Sequence, residues 1–106
     1  MTNITLDGQT LELKYTMNSI CELEERAGKG IMKLLSLDQI GYNLIRLLIW
    51  TGLKHNNPTL TIENTGDLLE SEFKKGTDFS YLIEMAVKAL DESGLLSNKK
   101  DLEKKR

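Results

Sequence analysis

The alternation of apolar and polar residues sorts the chain into two kinds of segment. Between Ile4 and Tyr15 the period is two: Ile4, Leu6, Leu11 and Leu13 alternate with Asn3, Thr5, Thr10, Glu12 and Lys14. Asp7-Gly8 in the middle supplies the two residues that tolerate positive φ, so the segment is expected to fold as a hairpin. Pairing Leu6 with Gln9 brings Ile4 opposite Leu11 and Thr2 opposite Leu13, which collects the apolar side chains on one face. A lone hairpin is marginal in water, so that face must lie on helices or on another copy of the chain.

From Thr16 onward the period lengthens to that of a helix. Thr16 is positioned to cap a helix from Met17 to Ala27, with Ile20, Leu23 and Ala27 inward, a Glu22 to Arg26 pair and Gly28 as the stop. Gly30 to Leu35 reads as a brief helical turn carrying Ile31, Leu34 and Leu35. Ser36 to His55 is the most strongly patterned stretch. At about 100° per residue, Leu37, Ile40, Leu44, Leu47, Leu48 and Thr51 form one stripe, and Tyr42, Ile45, Ile49 and Leu53 form a second beside it. Ser36 and Gln39 have capping-box spacing, Lys54 and His55 suit the C-terminal end, and Asn56-Asn57-Pro58 stops the helix.

Two helices follow. Thr61 caps the first, with Glu63 near its positive end and Leu68 and Leu69 buried, while Glu70 to Gly76, polar apart from Phe73, reads as helix end and loop. Asp78 is placed to cap the second, in which Phe79, Leu82, Ile83, Ala86, Val87 and Leu90 form a long stripe, closed by Gly94. The expected fold is mainly α (α+β): an N-terminal β-hairpin followed by about four helices in a single domain, residues 1–97. Its core contains Leu44, Leu47, Leu48, Leu82, Ile83 and Ala86, and residues 98–106 form a charged, frayed tail.

Charge narrows the function classes. The chain of 106 residues has a formal net charge of −2, but residues 98–106 carry five bases and two acids, so the remainder stands at −5. An acidic body disfavours nonspecific binding of nucleic acid, and the basic tail has no interleaved aromatic residue. The longest apolar run, Leu44 to Leu53, is about half of what a membrane span requires and contains Arg46. One cysteine, Cys21, excludes an internal disulfide and reads as a buried thiol; with no signal-peptide pattern, a cytoplasmic protein is expected.

Candidate chemistry is sparse. His55 is the one histidine and reads as a helix cap, and Glu22, Glu24 and Glu25 lack the spacing and glycine of a calcium loop. Neither a catalytic set nor a cofactor or metal site is expected. The one anomaly is the polar strip of the central helix, Gln39, Asn43 and Arg46, in which Trp50 also falls. Either the hairpin or the Thr61 helix covers the indole while Arg46 stacks on it at i to i+4 spacing, or Asn43, Arg46 and Trp50 form a partner-binding surface, since tryptophan and arginine are enriched at binding hot spots.

The order of segments adds a family likeness. LELKYTMNSICELEERAGKG, IRLLIWTGLKHNNPTLTIENTGDLL, DFSYLIEMAVKALDESG and the charged end together resemble the tail assembly chaperones of long-tailed bacteriophages. The likeness is carried by extended residues leading into an acidic helix with Leu23-Glu24-Glu25, by Leu-Ile-Trp-x-Gly-Leu at Leu48 to Leu53, and by Pro58-x-Leu60-Thr61. The resemblance implies a non-enzymatic protein of the host bacterial cytoplasm, with the tape-measure protein and the tail tube protein as partners. It would coat the tape measure, help recruit tube subunits and be absent from the mature virion. It also implies a longer product made by ribosomal slippage near the end of the frame. Homo-oligomers are compatible with it; nucleic acid and membrane partners are not expected. The alternatives are another small phage tail or connector protein and a DNA-binding regulator, the latter disfavoured because Lys88 is the lone base of the last helix.

Overall fold

The structure, a computed structural model, describes residues 1–36 and 40–96. Asp7 and Gly8 take φ values of 52° and 78°, the mirror-image turn that matches strand twist, and they join β1 (Thr2–Leu6) to β2 (Gln9–Leu13). The pairing is the one the alternation requires, Thr2 with Leu13, Ile4 with Leu11 and Leu6 with Gln9. Thr2, Ile4, Leu6 and Leu13 are buried and Leu11 is half-buried. They are covered by helices of the same chain.

Five helices follow: α1 (Met17–Ala27), α2 (Ile31–Leu35), α3 (Tyr42–Leu53), α4 (Ile62–Lys74) and α5 (Phe79–Glu92). Two begin in reciprocal caps. The Thr16 hydroxyl accepts from Ser19 N–H at 3.2 Å while Ser19 Oγ accepts from Thr16 N–H at 2.7 Å, and Thr61 accepts from Asn64 N–H at 2.9 Å. Gly28, at φ 74°, closes α1 by donating to the Glu24 carbonyl. The Glu24 side chain then reaches forward to accept from Ile31 N–H at 2.6 Å, supplying α2 with the cap that Gly30 lacks.

Helix α3 is the hub, packed against α1, α4, α5 and β2. It starts later than the pattern suggests: Gly41, with extended backbone, is its N-cap, whereas Ser36 ends α2 by donating its hydroxyl to the Lys33 carbonyl. Glycine is the poorest helix former after proline, so Gly41 is the natural break. Leu37, Gln39 and the expected tail at 98–106 lie outside the described residues. At the other end Lys54 closes α3, its N–H bonded to the Trp50 carbonyl, and His55 lies beyond it, exposed.

The second stripe of α3 goes deepest: Ile45, Ile49 and Leu53 are buried with Leu48, while Leu44 and Leu47, expected in the core, are half-buried. On α5, Leu82, Ala86, Ala89 and Leu90 are buried, Ile83 is half-buried and Val87 faces out. Asp78 occupies the N-cap of α5 without a side-chain bond to it. Helix α4 runs on through the expected loop to Lys74, because Glu72 and Phe73 in that stretch both make tertiary contacts. Cys21 is exposed, since the inward face of α1 follows Ser19, Ile20 and Leu23 and leaves position 21 outside it.

Candidate functional site

Two apolar stripes on α3 leave one strip of the helix for other uses, and the site is built there. Trp50 is the deepest of its residues, 8% exposed, with its indole N–H donated to the Leu60 carbonyl at 2.9 Å. The turn after α3 covers the ring on one side. Two cations lie against it: the Arg26 guanidinium of α1 at 5.0 Å from the ring centroid and the Lys54 ammonium at 5.2 Å. Glu22 ties both in place, accepting from Arg26 Nε at 3.1 Å and from Lys54. The Lys54 bond, reinforced by Arg26, holds the Glu22 carboxyl below the usual glutamate range.

Of the two readings of Trp50, the covered one matches this geometry, with a different partner. Arg46 does not stack on the indole; Arg26 does, from 24 positions earlier in the chain, a pairing no local spacing encodes. Arg46 instead donates to Asn43 Oδ1 at 3.2 Å and lays its aliphatic stem over Gly66 of α4, where a Cβ would stand 3.1 Å from Arg46 Cδ. Asn43 and Arg46 therefore remain at the surface together, and Trp50 belongs to the packing beneath.

Asn43 and Arg46 form a ridge between two open grooves. One, of about 450 Å³, runs between α3 and α4 over Ile45, Leu69 and Phe73, with Glu70 and Lys74 at its rim. Its lip is Tyr42, whose ring meets Phe73 and Phe79 edge-on at 5.7 Å each yet stays 74% exposed. The other, of about 530 Å³, lies between the end of α1, α2, α3 and the start of α4 over Leu34, Leu44, Leu47 and Ile62. Its edges carry Arg26, Lys29 and Arg46. The half-burial of Leu44 and Leu47 has its explanation here: they floor a groove.

A second polar cluster, unforeseen in the sequence, sits at the far end of α4. Glu72 is buried and accepts from the Asp7 N–H at 2.5 Å and from the Thr77 hydroxyl at 2.8 Å, which keeps its carboxyl below the usual range. Asp7 in turn accepts from Ser71 Oγ at 2.8 Å and faces Lys75, and its own carboxyl is lowered by these contacts. The cluster fastens the hairpin turn to α4, a structural task.

Among the described residues, no group of three or more histidine, cysteine, aspartate or glutamate side chains is arranged to hold a metal ion, and no helix is long and apolar enough to cross a membrane. The described surface includes two apolar-floored grooves with charged rims, an arrangement suited to receiving side chains from another polypeptide. Comparison with known proteins adds no relative: no family model, curated protein or solved structure matches the chain.

Proposed function

We propose that this chain is a tail assembly chaperone of a long-tailed bacteriophage: a non-enzymatic protein that binds the tape-measure protein in the host bacterial cytoplasm, helps recruit tail tube subunits, and is released before the virion is complete. The observation that carries the reading beyond the resemblance is the pair of grooves sharing Asn43 and Arg46. A long helical protein awaiting its tube exposes many apolar positions, and a small domain with open apolar grooves can cover them.

The energetics favour cover that comes off again. Each leucine-sized side chain seated in a groove contributes about 1.5–3 kcal/mol, while association itself costs about 4–15 kcal/mol. A site taking a few such side chains is weak alone and works by being repeated along the target.

Co-expression with the tape-measure protein of the same phage tests this reading. The expected result is a soluble tape-measure protein that copurifies with the chain and gives it up when tail tube protein is added. A tape-measure protein that is equally soluble alone and does not copurify contradicts it.

A further inference from the structure

The two grooves differ in charge. The α3–α4 groove mixes Arg46 and Lys74 with Glu70. The groove between α1, α2, α3 and the start of α4 has Arg26, Lys29 and Arg46, and no acidic side chain, among its described lining residues. Arg26 is paired with Glu22, so the positive sign of this rim rests on Lys29 and Arg46, a local reversal on a body whose net charge is −5 outside the last nine residues. Beneath them Leu34 is buried and Leu44, Leu47 and Ile62 are half-buried, an apolar floor left partly open to solvent.

We propose that this groove is a docking site for an acidic amphipathic helix, whose apolar stripe seats on Leu34, Leu44, Leu47 and Ile62 and whose carboxylates face Lys29 and Arg46. Charge selects this occupant. Residues 98–106 of the chain itself carry five bases against two acids and are repelled by the same rim. Apolar burial supplies the affinity, and the rim sets the sign and orientation of what is accepted. That the helix is a segment of the tape-measure protein rests on the chaperone reading; the chemistry of the groove does not.

The test uses the full chain and three labelled synthetic peptides of about five helical turns. One carries leucines at i, i+3, i+4 and i+7 spacing flanked by glutamates, one has lysines in place of the glutamates, and one is a scramble of the first. Fluorescence anisotropy is expected to give about tenfold or tighter binding of the acidic peptide than of the other two, weakening as salt rises from about 0.05 to 0.5 M. Leu47→Glu should abolish binding. Lys29→Glu, at an exposed position where folding is not at issue, should shift preference toward the lysine peptide.

Equal binding of acidic and lysine peptides, or an unchanged preference in Lys29→Glu, overturns the proposal. So does a wild-type dimer in sedimentation that Leu47→Glu converts to a folded monomer, because the groove would then be an interface between copies. The chaperone reading fails separately: acidic-peptide binding without copurification of the tape-measure protein supports the groove and rejects the phage partner. Copurification that survives Leu47→Glu and Lys29→Glu rejects the groove and keeps the partner.

Discussion

The ring of Tyr15 lies so close to Gly52 that a Cβ on Gly52 would stand 2.8 Å from both Cζ and the phenol oxygen. Leu13 Cδ2 would be equally near. This contact allows the end of the hairpin to bond directly to the backbone of α3: Lys14 N–H donates to the Gly52 carbonyl at 2.8 Å, and the buried Tyr15 phenol donates to the Leu48 carbonyl at 2.6 Å. Burial pushes the Tyr15 phenol far above its ordinary pKa, so it stays a donor at any working pH. Glycine in the last turn of α3 is here a packing requirement.

Gly52→Ala is therefore expected to destabilise the fold although alanine is the better helix former. The propensity gain is at most about 1 kcal/mol this close to the end of α3, whereas forcing a methyl group against two buried side chains costs about 1–3 kcal/mol. Chemical denaturation of the variant should show a lower midpoint; an unchanged or raised midpoint would mean that the hairpin does not lie this close to α3.

Trp50→Ala should cost about 3–5 kcal/mol, the range for emptying a large buried aromatic site. Trp50→Phe should cost about 1–3 kcal/mol, leaving the Leu60 carbonyl without its indole donor. The single tryptophan should emit in the blue in the native protein and shift to the red on unfolding. A red native spectrum and a nearly neutral Trp50→Ala would restore the exposed-anchor reading.

Acid should loosen the attachment of the hairpin turn. The carboxyls of Glu72, Asp7 and Glu22 all lie below their ordinary values in the folded state. Their contribution to stability is thus present above the unfolded values, about pH 4, and is lost as pH falls through the lower folded values. Denaturation midpoints should decline below about pH 4.5, and Glu72→Gln should lower stability at neutral pH while flattening that decline. The same slope in wild type and Glu72→Gln would remove Glu72 from the cluster.

What could be read from the chain was local. Asp7-Gly8 and a two-residue period determine the hairpin register, and Thr16 and Thr61 announce their helices because a capping hydroxyl acts within three residues. The fold class follows from the change of period at Thr16. Distant geometry was hidden: Glu72 bonds a backbone 65 positions away, and Arg26 reaches Trp50 across two helices. Periodicity gave α3 two stripes but not which one sinks deeper, so Leu44 and Leu47 read as core when they floor a groove. Asn43 and Arg46 were legible as surface residues because they share a polar strip; Trp50, on that strip, was claimed by the turn that folds back over it.

Reversible, repeated cover of a long helical partner, as proposed for this chain, is best checked by the stoichiometry of its complex with tape-measure fragments of increasing length, read by sedimentation velocity with the chain in excess at high concentration. Several copies per fragment are expected, their number rising in proportion to fragment length, with Leu47→Glu and Lys29→Glu reducing occupancy. A fixed single copy at every length, or no complex at all, would contradict it.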